Sequence, residues 1–190
     1  MSSNDEMVSM TVTEAVAALN AKKMTSKDYV KVLLNRIAAF NPPLNAVLQI
    51  NTPGALQEAE RMDKLRAEGE LLGPLHGIPM LIKDNINVAG ITTTGATPGL
   101  RGNIPSKSAR VAKALQDAGV IVLGKTNLVE LACSYSTNNT SFAGPCHNPY
   151  NLARISGGSS GGSGAAVAAR FAPAALLTDT FGSTRCPSHC

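Results

Sequence analysis

The chain has 190 residues, 44% of them hydrophobic and 16% charged, with a formal net charge of +4. That length can bury one sizeable core, and the balance excludes a disordered chain, which is poor in apolar residues and rich in charge. The basic residues are scattered and Trp is absent, so a solvated surface is expected rather than a nucleic-acid-binding stripe interleaved with aromatics.

The opening "MSSNDEMVSM" reads as a polar tail over residues 1–10, without the apolar region of a signal peptide. No apolar run approaches the ~20 residues of a membrane helix. A cytoplasmic protein is therefore expected, with no membrane or nucleic-acid partner. A reducing compartment would keep Cys133, Cys146, Cys186 and Cys190 as thiols.

Residues 11–21 place Val12, Ala15, Val16 and Leu19 on one helical face, with Thr11 or Thr13 available as a cap. Residues 26–39 follow with the stripe Val30, Leu33, Leu34, Ile37, a cap at Ser26, and a stop at "NPP". "AVLQI" (46–50) predicts a short strand, and 54–68 a charged surface helix ending at Gly69. "GIPMLIK" (77–83) predicts a buried strand. Residues 106–118 predict a helix packing through Val111, Ala114, Leu115 and Ala118; "VIVLG" (120–124) is a second buried strand, and 126–132 starts another helix. Helices alternating with apolar strands predict an α/β protein whose mixed, largely parallel sheet is flanked by helices.

The stretch "ISGGSSGGSGAAVAARFA" admits several readings. A linker should join two domains, yet this one runs straight into an alanine-rich helical pattern. A phosphate loop needs a Lys after its glycines, and the dinucleotide-binding spacing G-x-G-x-x-G is absent. "GGSSG" and "GSSGG" fit the G-x-S-x-G nucleophile elbow, with Asp179 and His189 following in the required order, but the preceding "CHNPYNLARI" has little strand character.

A lysine offers the better arrangement. Lys83 ends the apolar run, where burial would lower its pKa toward that of a general base. Neutral lysine accepts a proton from a serine hydroxyl, directly or through a second hydroxyl. Ser159, Ser160 and Ser183 supply hydroxyls in glycine-containing loops, whose backbone N–H groups can converge on an oxyanion.

These segments, "GIPMLIKDN", "GGSSGGS" and "LTDTFGSTR", together with "ARVAKALQDAGVIVLGKTNLVEL" and "NNTSFAGPCHNPYNLARISGG", closely resemble the amidase signature family over about residues 11–187. The resemblance implies a Ser–Ser–Lys triad. Ser183 would be the nucleophile that forms an acyl-enzyme. Ser159, preceded by a cis peptide bond, would bridge it to Lys83, the base and then the acid. Backbone N–H groups of Thr180, Phe181, Gly182 and Ser183 would line the oxyanion hole, with Ser160 and Asp179 supporting them. The implied activity is hydrolysis of a small-molecule, non-peptide amide without cofactor or metal, releasing ammonia or an amine. The alternatives are a glutaminase like the A subunit of an amidotransferase, for which Cys186 stands where such relatives carry Gln, and a catalytically silent fragment.

Phe181 occupies a position that is glycine in the family, so a strained backbone or a crowded acyl pocket is expected there. Family domains are longer, so residues 11–190 are expected to form the N-terminal part of one. Uncovered sheet surface would then favour self-association or a homo-oligomer. "CPSHC" resembles half a metal site without a second half. His76 and His147 read as turn and loop residues, and the methionines as packing or surface residues.

Overall fold

The computed structural model describes residues 2–133 and 142–190. Residues 138–141, the start of one family-like segment, lie outside that range. The stretch read as a polar tail is instead a docked helix, α1 (Asn4–Ser9). Ser3 and Glu6 form a reciprocal capping box at its start, and Met7 is buried on the core. Thr11 and Glu14 make the same box for α2 (Val12–Asn20).

Helix α3 (Ser26–Leu44) buries the expected Val30, Leu33, Leu34 and Ile37. Its cap is Thr25 rather than Ser26, because the Asp63 carboxylate accepts from the backbone N–H groups of Ser26 and Lys27 and holds both inside the first turn. The helix also continues through Pro42 and Pro43, where a stop was expected. The carbonyls that lose a helical donor are those of Ala38 and Ala39, both exposed residues that water can satisfy. Asn45, left-handed at φ 51°, closes the helix.

The main sheet has the order β1-β3-β2-β6, formed by β1 (Val47–Ile50), β2 (Pro79–Lys83), β3 (Ile121–Thr126) and β6 (Ala175–Leu176). Strand β2 is parallel to β3 and β6, while β1 is antiparallel to β3. Every residue of β2 and β3 is buried, as expected for strands covered on both faces. Leu81, Ile121 and Leu123 join the large core beneath α2, α3 and α4 (Thr52–Ala67). Ile82 and Val122 join a smaller core with Ala112 of α5 (Arg110–Asp117).

Three local expectations fail. Val111 is 56% exposed and Ala114 is exposed, so α5 packs through Ala112 and the half-buried Leu115 instead. Residues 126–132 do not start a regular helix. Asn127 uses its side chain on the carbonyls of Asn45 and Gly144, and Val129 N–H donates to the Ser159 carbonyl, which leaves only a 3-10 turn at Glu130–Ala132. Finally, "CHNPYNLARI" does form strands, β4 (His147–Asn148) and β5 (Asn151–Ile155). They pair only with each other, outside the main sheet, so no sheet strand leads directly into the Ser159 loop as an elbow requires.

Candidate active site

Lys83 is the last residue of β2 and is fully buried. The parallel register sets it beside Thr126 of β3. Its Nζ donates to Ser159 Oγ at 2.8 Å and to Thr178 Oγ1 at 2.9 Å. Burial pulls its pKa down from 10.5 to about 8, against a smaller opposing pull from Asp179.

Ser159 is fully buried and follows a cis Gly158–Ser159 peptide bond, as the resemblance implies. The loop then enters α6 (Gly161–Ala168), with Ser160 at its N-cap. Helix α6 is held against the end of β3 by a 2.6 Å hydrogen bond between Thr126 Oγ1 and Ser163 Oγ, and by Gly162 N–H donating to the Asn127 carbonyl. Gly162 permits this approach because a Cβ there would lie 2.5 Å from Asn127 N and 2.6 Å from the Ala46 carbonyl oxygen.

Ser183 is brought to the same place. It is 8% exposed, and its carbonyl accepts from Ser160 N–H at 3.1 Å. Its hydroxyl makes no hydrogen bond to Ser159 among the described residues, so the implied relay is linked at Lys83–Ser159 and open at Ser159–Ser183. Ser160, expected as a supporting residue, donates its hydroxyl to the Thr178 carbonyl at 3.1 Å.

The oxyanion loop differs from expectation in two ways. The Asp179 carboxylate accepts from the N–H groups of Gly182 (2.7 Å), Thr184 (3.1 Å) and Arg185 (3.2 Å), and the Arg185 side chain also binds it. Arg185 and these N–H groups hold Asp179 far below the usual carboxylate range. Gly182 N–H, expected in the oxyanion hole with those of Thr180, Phe181 and Ser183, here donates to Asp179. The left-handed demand also falls on Gly182 (φ +102°) and not on Phe181, which is 79% exposed.

The sequence reading missed Thr178, which contacts Lys83, Asn85 and Ser160 at once. Its place inside "LTDTFGSTR" was the available signal. It also missed a second buried lysine. Lys125 Nζ lies 3.1 Å from Asp84 Oδ1, both residues fully buried, and donates to Thr93 Oγ1 at 2.8 Å. The Lys125–Asp84 contact is an ion pair without hydrogen-bond alignment, since Asp84 Oδ1 has no hydrogen-bond partner. Asp84 Oδ2 accepts from both the backbone and the hydroxyl of Thr94. His76 is buried and receives Leu72 N–H at Nδ1, consistent with a turn residue.

The family model described as Amidase matches residues 28–190. The chain belongs to the amidase signature family. It is 44% identical over 183 residues to the A subunit of the glutamyl-tRNA(Gln) amidotransferase of Acidothermus cellulolyticus, covering 96% of this chain and 36% of that one. Among solved structures it resembles the native peptide amidase from Stenotrophomonas maltophilia, with TM-score 0.89, 41% identity, and coverage of 95% and 38%. A fatty acid amide hydrolase superposes with TM-score 0.92 at 26% identity, covering 98% of this chain and 33% of that one. The chain thus spans little more than a third of the length of these relatives.

Proposed function

We propose that this part of an amidase carries the acid–base and nucleophile positions of an amide hydrolase acting through a serine acyl-enzyme. The observation that carries the reading is the 2.8 Å hydrogen bond to Ser159 Oγ from Lys83, a lysine with no ion pair among the described residues. In the proposed reaction, Ser183 Oγ attacks the amide carbonyl carbon while its proton passes through Ser159 to neutral Lys83. The C–N bond breaks as Lys83 returns a proton through Ser159 to the departing nitrogen, which leaves as ammonia or an amine. Water then releases the acid by the same relay. The step requires the Ser159–Ser183 link to close and Gly182 N–H to exchange Asp179 for the substrate oxygen.

A fluorophosphonate probe tests the assembly directly. Stoichiometric labelling at Ser183, lost in Ser183→Ala, is expected of an active relay. A folded chain that never labels would favour the catalytically silent reading, which the open link and the committed Gly182 N–H support.

A second reading, a glutaminase serving an amidotransferase, is favoured by the 44% identity to an amidotransferase A subunit. Ammonia release from glutamine in preference to simple amides would select it. Self-association is proposed through the exposed β4–β5 hairpin, where Tyr150 is 81%, Leu152 49% and Ile155 52% exposed. Among the described residues no helix is long and apolar enough to cross a membrane. A cytoplasmic setting is proposed from the irregular spacing of the four cysteines, which a reducing compartment would keep as thiols.

A further inference from the structure

Asp84, next in the chain to Lys83, is fully buried, and its Oδ2 accepts from both the backbone N–H and the hydroxyl of Thr94. The Asp84 carbonyl accepts from Gly95 N–H at 2.9 Å, and Thr94 Oγ1 accepts from Ala96 N–H at 3.0 Å. Residues 94–96 are thereby wrapped onto the neighbour of the base. The Gly95 carbonyl then accepts from Leu131 N–H at 2.8 Å, in a turn that Ala132 N–H closes on the Val129 carbonyl at 2.8 Å. Val129 N–H in its turn donates to the Ser159 carbonyl at 3.0 Å. Since Lys83 Nζ donates to Ser159 Oγ, the path closes on itself. It runs from Lys83 through Asp84, Gly95, Leu131, Val129 and Ser159 back to Lys83.

Backbone conformation marks the same ring. Ala96 (φ 57°), Leu131 (φ 52°) and Ala132 (φ 58°) are all left-handed, a region that non-glycine residues enter at a cost. Such conformations persist only where the surrounding contacts over-determine them, and they gather at functional sites. Thr94 and Ala96 are both buried, so water does not stand in for the Thr94 hydroxyl.

We infer that Thr94 is a positioning residue for amide hydrolysis, whose hydroxyl holds the left-handed 95–96 turn on Asp84 and, through the 129–132 turn, keeps Ser159 seated on Lys83. The inference rests on the reading of Lys83 as base and Ser159 as bridge. Among the described residues Thr94 hydrogen-bonds neither of them, and it acts through Asp84 and the two turns. Its part differs from that of Lys125, which lies against the other Asp84 oxygen and balances the charge. Thr94 uses Oδ2 to fix the shape of the chain.

Isotopic labelling at lysine Cε, followed by NMR with the Lys83 signal assigned by its loss in Lys83→Met, reads the base directly. In the unmutated protein Lys83 should titrate at about 8. Thr94→Val removes the hydroxyl and keeps the side-chain shape, while Asp179, which acts on Lys83, and the Asp84–Lys125 pair stay in place. Ser159 then loosens, water reaches the ammonium, and burial disfavours its charge less. The midpoint should rise by about one pH unit, which lowers the neutral fraction, and with it fluorophosphonate labelling of Ser183 near neutral pH, about tenfold. Thr94→Ser should restore both. Lost stability alone leaves the Lys83 midpoint of the folded protein where it was. An unmoved or lowered midpoint in Thr94→Val, or an equal shift in Thr94→Ser, therefore overturns the assignment. A check on the unmutated protein needs no variant to fold: the amides of Val129 and Leu131 should exchange with solvent as slowly as those of β3, and fast exchange at either overturns the ring. If the unmutated protein never labels at Ser183, the hydrolase reading fails, while the Lys83 midpoints still decide the role of Thr94.

Discussion

Two lysines, the last residue of β2 and the next-to-last of its neighbour β3, are both fully buried and are kept there by different means. Lys125 on β3 faces the Asp84 carboxylate at 3.1 Å. Among the described residues Lys83 on β2 hydrogen-bonds the hydroxyls of Ser159 and Thr178, and Asp179 acts on it more weakly from further away. A buried ammonium beside a carboxylate is compensated, and its removal strands the opposite charge. A buried ammonium among hydroxyls is desolvated with little compensation and gives up its proton more readily. The contrast separates a lysine suited to holding structure from one suited to moving protons.

The largest expected effect breaks the contrast at the Lys83 side. Lys83→Ala should lower the rate of fluorophosphonate labelling at Ser183 by about 10²–10⁴-fold, while thermal melting shows no loss of stability, since a poorly compensated buried charge is removed. Lys125→Met should do the reverse. It leaves Asp84 buried and alone and should cost about 3–5 kcal/mol of stability in denaturant titration. Adding Asp84→Asn to that variant should return much of the loss. An equal loss in the double variant would show that the pair acts by packing rather than charge.

The pH dependence sharpens the same comparison. Lys83 must be neutral to act as a base, so labelling should rise with pH to a plateau above its pKa of about 8. Stability has its own sign. Between about pH 8 and 10.5 the unfolded chain binds the Lys83 proton and the folded chain does not, so Lys83 makes stability increase with pH across that window and contributes its full penalty below it. Lys83→Met should remove this slope. A smaller effect belongs to Gly182→Ala, which forces a side chain to φ +102° and should cost about 1 kcal/mol or more. Smallest is Phe181→Gly, expected within about 0.5 kcal/mol because the ring is exposed and the left-handed residue is its neighbour.

Much of the site was readable because each position belongs to a short segment with its own residue pattern. "GIPMLIK" placed Lys83 at the end of a buried strand, and the glycine-rich loop placed Ser159 before a helix. What was not readable depends on partners distant in the chain. Asp84 follows Lys83 directly, yet nothing local says that it turns to Lys125, forty-one residues later. Thr178 is one hydroxyl among many until the parallel β2–β6 pairing brings it to Lys83. The 126–132 segment has a helical pattern, but its backbone and side-chain donors are drawn off by Ser159, Asn45 and Gly144. The apolar face of α5 was placed wrongly because Val111 is a strong hydrophobe that the fold leaves outside.

The close seating of Gly162 on the end of β3 has a consequence for how the protein tolerates change. The distance between Lys83 and Ser159 is set there by an absent side chain, so the loop acts as a clearance and not as a tether. A single added methyl would have no rotamer with which to escape, and the start of α6 would have to lift, carrying Ser159 off the lysine. Random substitution in this stretch, which looks at first like flexible filler, should therefore damage reactivity before it damages folding.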